Sequence, residues 1–435
     1  MGRSARLAWA RGGEAAGESA AAGESPLSLA VVGTNYRRTP VAAREALAKH
    51  LASEAVQRSL ARFETITLTT CNRCEVYALG HDRSLGKAIL EILASGPTTP
   101  PPEAFYVLSG DDALLHLIRV AAGLDSLAWG EPQVALQVRA AAQAGRASGR
   151  AGPVLGDLFD RALAAGGRVR QSAGVLGAPA SLAGAAVRRI QDAFPDSVPN
   201  VLLVGLGKMG RLAAGRLVSK STLFVTDRTS EKAEAFARSI GGTAVPFPES
   251  FSRLGEIDAI VVATAAEEPI ITADAVPIVG RAGSRALLVI DLSVPRNVEP
   301  AIGENPGIEL LDVDGLAPWV ERPSDPTVIE TAEAAASREV PRLSAWLRSR
   351  QAEATLADLR RAADRIRREE VHNALARLPG ASDRERRVLE KMAERIVNRV
   401  LHSPTEQVRR GAAQGNGAAI ENAVRELFAL REKPK

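Results

Sequence analysis

The segment VLLVGLGKMGRLAAGRL (201–217) joins a short apolar run, a GxGxxG pattern and a stretch with helical spacing of apolar residues. This order is typical of a dinucleotide-binding βαβ unit, in which Gly205 allows the tight turn and Gly207 lets the backbone approach a pyrophosphate. Gly210 permits close packing of helix on strand, and the free N–H groups of the helix N-terminus attract the anion. A glycine-rich turn in a ligand-free α/β domain is the alternative. We expect six consecutive residues to bind the cofactor: Gly205, Leu206, Gly207, Lys208, Met209 and Gly210.

Around this segment, short apolar runs alternate with helical stretches, which indicates a parallel sheet with crossover helices. The runs after the first are LFVTD (223–227), AIVVAT (259–264), LLVIDLS (287–293) and IELLDVD (308–314). We therefore predict a Rossmann-type domain over residues 179–316.

The end of the second run, TDRTS (226–230), bears on the choice of cofactor. Asp227, 22 residues after Gly205, stands where NAD enzymes bind the ribose 2′-hydroxyl, whereas Arg228 and Thr229 suit a 2′-phosphate. The Arg-Thr pair favours NADPH over NADH.

Length and composition limit the number of domains, the possible partners and the compartment of the protein. A chain of 435 residues implies two or three domains, and it contains no apolar run long enough for a membrane span. The net charge of +4 permits a polyanionic partner such as RNA but does not require one, because a solvated mixed-charge surface gives the same sum. Two cysteines fit a reducing compartment, taken as the cytoplasm, rather than a disulfide scaffold.

Residues 1–26 are rich in Ala, Gly, Ser and Glu and lack the apolar core of a secretory signal. We interpret them as a disordered extension. Their arginines leave a transit peptide, and with it the plastid stroma, as the alternative.

On the N-terminal side, LSLAVVGTNY (27–36), TITLTT (65–70) and EVYALG (75–80) predict strands, with a helical segment over 40–63 and CNRC as the connection between the second and third strands. Alanine-rich helix is expected from Asp111 to about Val175. The pattern predicts an α+β domain over 27–178.

From residue 317 no strand signal remains. Residues 326–376 carry a narrow apolar stripe among many Arg and Glu residues, which is typical of a helix that packs on a partner helix. We predict a helical dimerisation domain over 317–435. A helical bundle within one subunit is the alternative.

Both cysteines lie in TTCNRCEVY (69–77), where Cys71 and Cys74 form a CxxC. A zinc site needs about four ligands, and none of the five histidines is paired at ligand spacing, so we predict no metal. A thioredoxin-type dithiol begins a helix, whereas a strand is expected here. Two inert buried thiols stay possible. We favour a nucleophilic Cys71 with Arg73 stabilising its thiolate, since a thiol can capture an acyl group as a thioester that hydride then reduces.

Several ordered motifs resemble those of the glutamyl-tRNA reductase family. They are TTCNRCEVY, HLIRVAAGLDSLAWGEPQVALQV (116–138), GGRVR (166–170), LLVIDLSVPRNVEP (287–300) and IVNRVLHSPT (396–405). The resemblance covers nearly the whole chain after the extension. It implies an N-terminal catalytic domain, an NADPH-binding domain and a helical dimerisation region joined by a long spinal helix.

The resemblance also implies roles for particular residues. Cys71 matches the nucleophile, Arg73 is suited to bidentate capture of the glutamate side-chain carboxylate, and His116 matches a histidine needed for activity. A merely packed His116 is the alternative. The other substrate positions are Thr70, Asn72, Ser126, Glu131, Pro132, Gln133 and Gln137.

The activity implied by the resemblance is NADPH-dependent reduction of glutamyl-tRNA(Glu) to glutamate-1-semialdehyde through a cysteine thioester, by a homodimer that hands its product to an aminotransferase. This is the first committed step of five-carbon tetrapyrrole biosynthesis. The alternatives are a catalytically silent relative that binds tRNA or a partner, and an NADP oxidoreductase acting on a small acid.

The sequence departs from the family pattern at four positions: Tyr36 replaces a histidine, Ala122 a serine and Asp227 an asparagine, and Cys74 falls at a variable position without an assigned role.

Overall fold

A computed structural model describes residues 27–174, 181–250, 253–275, 286–323, 325–414 and 417–430. The predicted extension, residues 1–26, and the predicted boundary near residue 178 lie outside these ranges. The chain divides into two compact units, Leu27–Gln351 and a second that begins at Ala352. Among the described residues, no helix is both long and apolar enough to cross a bilayer.

The N-terminal domain is built on a four-stranded antiparallel sheet in the order β2-β3-β1-β4. Its strands are β1 (Ser28–Asn35), β2 (Glu64–Thr69), β3 (Arg73–Gly80) and β4 (Tyr106–Ser109). Three of them confirm the predicted strands. β4 is missing from the prediction because four residues of mixed exposure carry no clear period.

Six helices surround this sheet: α1 (Val41–Ala52), α2 (Glu54–Leu60), α3 (Leu85–Leu93), α4 (Gly110–Ala122), α5 (Gln133–Ala147) and α6 (Pro153–Ser172). The single helical segment predicted over 40–63 is broken at Ser53, where the backbone turns extended. The CNRC connection is shorter than predicted, because Arg73 and Cys74 already belong to β3. β3 lies between β2 and β1 and is buried along almost its whole length, so its polar residues are buried as well.

The second domain confirms the predicted parallel sheet, with strand order β10-β9-β8-β5-β6-β7. Its strands are β5 (Asn200–Val204), β6 (Thr222–Thr226), β7 (Thr243–Ala244), β8 (Ala259–Val262), β9 (Leu287–Asp291) and β10 (Ile308–Leu311). Its helices are α7 (Leu182–Ala193), α8 (Lys208–Leu217), α9 (Ser230–Ile240) and α10 (Phe247–Ser250). The strand order reverses direction between β5 and β8, and ligands bind at the carboxyl ends of strands beside such a switch point.

The C-terminal part is helical, as predicted, with α11 (Pro326–Ala376), α12 (Asp383–Gln414) and α13 (Gly417–Leu427). The first half of α11, including Ala332, Ala336 and Leu343, shares a buried core with α4 and α6 of the N-terminal domain. The domain boundary at residue 317 stays a prediction. In the second unit, Leu356 and Leu359 of α11 pack with the residues of α12 and α13 in a core of their own.

Candidate active site

A short loop, residues 70–72, connects β2 to β3 and carries Cys71; we call it the cysteine loop. The Thr70 N–H donates to the Arg73 carbonyl at 2.8 Å, and the Asn72 N–H donates to Thr70 Oγ1 at 3.1 Å. The Asn72 carbonyl accepts from the Tyr36 N–H at 2.9 Å. The buried Arg44 side chain donates from Nε to the Cys71 carbonyl at 3.1 Å. These bonds hold the loop in one conformation.

Cys71 opens into a cavity of about 750 Å³, the cysteine cavity. Five predicted catalytic and substrate-binding residues line it together: Thr70, Cys71, Glu131, Gln133 and Gln137. Pro132 precedes α5, and Gln133 and Gln137 lie one turn apart on that helix, so both amides reach the same wall. The structure therefore brings together residues that are up to 67 positions apart in sequence (137 − 70).

Arg73 has partners other than the predicted substrate carboxylate. Its side chain is fully buried, and Nη1 lies 2.9 Å from Glu75 Oε1 and 3.0 Å from Asp125 Oδ2. The strand β3 that carries Arg73 is buried at the centre of the sheet. The contact of Arg73 with a substrate carboxylate stays a prediction, and in this structure the guanidinium is paired with Glu75 and Asp125.

His116 joins the same buried group, with Nε2 at 2.8 Å from Glu75 Oε1. Glu75 also accepts from the hydroxyls of Tyr77, at 2.6 Å, and Tyr106. We call these residues, Arg73, Glu75, Tyr77, Tyr106, His116 and Asp125, the Arg73 network. Burial alone would raise the pKa of Glu75, but the charge of Arg73 and the contact with His116 outweigh it and hold this pKa well below its usual range.

Two more predicted substrate residues, Asn72 and Ser126, are not among the residues that line the cavity. Both are almost fully buried, and the Ser126 Oγ has no hydrogen-bond partner within the described part of the chain. A buried hydroxyl without a partner is uncommon, and the contact of Ser126 with the substrate stays a prediction.

The surroundings of Cys71 oppose the thiolate that the sequence predicts, and the nucleophilic role of Cys71 stays a prediction. Burial raises its pKa to about 11, the carboxylate of Glu131 adds to the shift, and Arg44 and Arg73 oppose it. Burial also raises the pKa of Glu131 itself to about 7, against the opposing charge of Lys208.

We expect alkylation of Cys71 by iodoacetamide to accelerate about tenfold per pH unit between roughly pH 7 and 10, because only the thiolate reacts and its pKa is about 11. Glu131→Gln should increase the rate at about pH 8 by roughly threefold or more, since the ionised carboxylate raises that pKa. Mass spectrometry of the peptide that carries Cys71 measures both effects.

The matched control is Glu268→Gln, which removes another carboxylate from the cavity wall and should leave the alkylation rate unchanged. A plateau of the wild-type rate near neutral pH would contradict the prediction. A Glu131→Gln rate at or below that of the wild type would also contradict it.

Cys74 differs from Cys71 in its position and in its surroundings. It is buried in β3, its Sγ donates to the Arg44 carbonyl at 3.3 Å, and burial raises its pKa to about 12. Its thiol therefore stays protonated and without access to the cavity.

Six of the eight predicted nucleotide residues, residues 205–209 and Arg228, line a second cavity of about 760 Å³, the nucleotide cavity, at the carboxyl ends of the parallel strands. Gly210 and Thr229 are not among its lining residues. Gly205 has φ +93°, and a Cβ there would lie 2.6 Å from Thr264 Cγ2. A Cβ at Gly210 would lie 2.2 Å from the Gly205 carbonyl oxygen. At Gly207 an added Cβ would meet only the Ala263 carbonyl, at 3.6 Å, so the space before α8 is open for a pyrophosphate.

Asp227 binds the glycine turn itself. Its Oδ2 accepts from the Leu206 N–H at 3.0 Å, and its Oδ1 accepts from the Thr229 N–H at 3.1 Å. The exposed Arg228 side chain lines the cavity beside it. Asp227 thus holds the turn through these two hydrogen bonds, and the exposed cations Lys208 and Arg228 both line the cavity.

The two cavities share three wall residues, Met209, Leu292 and Val294. The Gln133 side-chain amide also donates to Met209 Sδ at 3.4 Å, across the junction of the two domains. A group bound to Cys71 therefore lies next to the cofactor-binding space.

Sequence reasoning missed Arg44, Asp125 and Asp314. Arg44 lies on the same face of α1 as the buried Val41 and Leu47, and a charged residue at an apolar position was the available signal. Asp125 and Asp314 lie outside regular elements, where no periodicity marks them.

Residues 188–318 match the family model described as shikimate/quinate 5-dehydrogenase. With the glycine turn, the nucleotide cavity and the adjoining thiol, this match defines an oxidoreductase of the dehydrogenase type that uses a nicotinamide cofactor. Residues 32–173 and 331–430 match the models of the glutamyl-tRNAGlu reductase N-terminal and dimerisation domains. The chain belongs to the glutamyl-tRNA reductase family, and its activity is the first step of tetrapyrrole biosynthesis.

Relatives of similar length support this assignment. The chain is 35% identical to the glutamyl-tRNA reductase of Myxococcus xanthus over 422 residues, covering 94% of this chain and 95% of the relative. It is 34% identical to that of Synechococcus sp. over 426 residues, covering 93% and 98%. Among solved structures, glutamyl-tRNA reductase from Methanopyrus kandleri matches with 28% identity and a TM-score of 0.48, covering 90% of this chain and 98% of that one.

Proposed function

We propose that Cys71 attacks the ester carbonyl of glutamyl-tRNA(Glu) and that the resulting thioester is reduced to glutamate-1-semialdehyde. The thiol loses its proton, the new C–S bond forms, and the ester C–O bond breaks, so that the tRNA leaves with its hydroxyl protonated. NADPH bound in the nucleotide cavity supplies the hydride, and the C–S bond then breaks to return the thiolate. The single observation that carries this proposal is the wall shared by the two cavities.

Glu131 is the residue we assign to the α-ammonium group of the substrate. Its buried carboxylate lines the cysteine cavity and raises the pKa of Cys71 while it is unpaired. An ammonium group paired with Glu131 would cancel that effect, so the substrate itself would favour the thiolate. The other cavity residues, Thr70, Gln133 and Gln137, are proposed to bond the remaining polar groups of the glutamyl moiety.

The experiment that tests the function is incubation of the purified chain with NADPH and glutamyl-tRNA, with aldehyde formation as the readout. Omission of NADPH should leave a radioactive acyl group on the protein, which a catalytically silent relative would not form. Uncharged tRNA should compete, whereas an enzyme for a small free acid would ignore it.

For the cofactor, Arg228 and Thr229 support NADPH. We expect Arg228→Ala to raise the KM for NADPH by roughly 10- to 100-fold, because a guanidinium bound to a 2′-phosphate makes strong charge-assisted hydrogen bonds. The KM for NADH should change little. Steady-state kinetics with both nucleotides measures the effect.

Lys232→Ala is the matched control, since it removes an exposed cation of α9 that does not line the nucleotide cavity. Equal losses with NADPH and NADH in Arg228→Ala would mean that Arg228 does not distinguish the two nucleotides.

We infer that the chain works as a homodimer through its helical C-terminal unit. Val388, Met392, Ile396 and Val400 repeat every fourth residue on α12, and each is about half exposed or more. Such a stripe fits a second copy of the helix.

We further propose that the domain boundaries lie at 178/179 and 316/317. We propose a cytoplasmic location for the protein, with the plastid stroma as the alternative. Hand-off of the reactive aldehyde to an aminotransferase also belongs to this proposal, and co-purification tests it.

A further inference from the structure

Helix α1 of the catalytic domain begins without a capping side chain of its own. The preceding residue is Pro40, which makes no side-chain hydrogen bond to the helix. Asp314, which follows β10 of the nucleotide domain, supplies the missing acceptor, with Oδ2 at 2.6 Å from the Val41 N–H. A carboxylate at a helix N-terminus satisfies a free N–H and interacts favourably with the helix dipole. The nucleotide domain thus completes a helix of the catalytic domain.

One turn further along α1, Arg44 joins the same carboxylate to the cysteine loop. Its Nη2 lies 2.8 Å from Asp314 Oδ1, and its Nε donates to the Cys71 carbonyl at 3.1 Å. Nη1 donates to the Thr39 carbonyl at 2.6 Å, and the side chain is 1% exposed. The rigid, planar guanidinium therefore links the position of the cysteine loop directly to that of Asp314.

The neighbouring Glu45 makes a second attachment to the nucleotide domain. Its carboxylate accepts from Arg296 Nη2 at 2.9 Å, Nε at 3.1 Å and the Arg296 backbone N–H at 2.6 Å. Arg296 follows the segment that contributes Leu292 and Val294 to both cavities. Consecutive positions of α1 are thus bound to the nucleotide domain, Arg44 to the end of β10 and Glu45 to the segment after β9 that contributes to the shared wall.

We propose that Arg44 and Asp314 are positioning residues that orient the cysteine loop by docking the nucleotide domain on α1. The inference rests on the proposed thioester at Cys71, because it concerns how that group is aligned with the shared wall. When Asp314 holds Arg44, the Cys71 carbonyl is fixed, and the thioester carbon is held at the boundary of the two cavities. Without the Asp314–Arg44 contact, Cys71 still carries a reactive thiol, but the cysteine loop is no longer aligned with the shared wall.

The test uses Asp314→Asn, which keeps the shape of the side chain but removes its charge and turns an N–H₂ group toward Arg44 or Val41. We expect kcat for aldehyde formation to fall about 100-fold, since small displacements of a reacting group have effects of this size. The KM values for glutamyl-tRNA and NADPH should stay within about threefold, because neither binding residue is altered. Glu309→Gln is the matched control, since it breaks the Arg189–Glu309 ion pair of the same domain, away from the cysteine loop.

Hydrogen exchange gives a readout that does not depend on catalysis. In Asp314→Asn the amides of residues 70–73 should exchange at least about threefold faster, and in Glu309→Gln they should not. Faster exchange at the start of α1 without a change in residues 70–73, or an unchanged kcat, would overturn the proposal. If Cys71→Ser still produced aldehyde, the proposed function would fail, whereas the exchange result would still decide whether Asp314 holds the loop.

Discussion

Cys71→Ser is expected to abolish acyl-enzyme formation and to lower the rate of aldehyde formation by a factor on the order of 10⁴ or more. A serine hydroxyl ionises even less readily than the Cys71 thiol and lacks the nucleophilicity of sulfur, and the described Arg73 network provides no histidine bonded to it. The variant should fold normally, because the change is almost isosteric in a half-buried position. Aldehyde formation and trapping of labelled glutamate on the protein are the measurements.

Cys74→Ser is the matched control on the same segment. Its Sγ faces the Arg44 carbonyl inside the sheet, and a hydroxyl can make the same hydrogen bond. Turnover should remain near that of the wild type. Aldehyde formation by Cys71→Ser, or loss of the acyl-enzyme in Cys74→Ser but not in Cys71→Ser, would contradict the assignment of the nucleophile.

Glu75→Leu is expected to have the largest effect on stability, a loss of about 3–5 kcal/mol in the free energy of unfolding. The substitution breaks a buried ion pair and leaves Asp125 as the remaining carboxylate paired with Arg73. It also removes the acceptor of Tyr77, Tyr106 and His116. The folded pKa of Glu75 lies below its unfolded value, so its contribution is complete above that value, about 4.3, and is lost as the pH falls toward the folded pKa. Urea titration at neutral pH therefore measures the full effect.

Arg58→Ala is the control for this prediction, since it removes an exposed ion pair with Glu54 at 3.9 Å and should leave the unfolding midpoint unchanged. A loss below about 1 kcal/mol in Glu75→Leu would mean that the Arg73 network contributes little to stability. The double variant Arg73→Met/Glu75→Leu should recover part of the loss, because no charge of the pair remains buried without its partner.

Much of the fold follows from local sequence patterns. The runs 201–205 and 287–293 are strand-length, apolar and separated by helical segments, so they predicted a parallel sheet that the structure confirms. The glycine turn at 205–210 carries its own steric signature, because positive φ and close backbone contacts leave no room for a side chain at Gly205. Where an element has only a few residues, as in β4 and β7, no period exists to be read, and the strand is decided by its neighbours in the sheet.

The candidate site also has features that follow from the sequence and features that depend on the tertiary structure. The resemblance of the motifs around Cys71 and Gln133 to those of the family implied that both regions belong to one site, and Cys71, Gln133 and Gln137 do line one cavity. The sequence could not determine the partners of Arg73, because these depend on which strand lies at the centre of the sheet and on Asp125 being brought beside it. The contact of Asp314 with Arg44, 270 residues apart, likewise exists only once two domains are packed together. Side-chain pKa values are set by burial and by neighbours in space, so only the tertiary structure decided that the pKa of the Cys71 thiol is raised and which residues hold its loop in place.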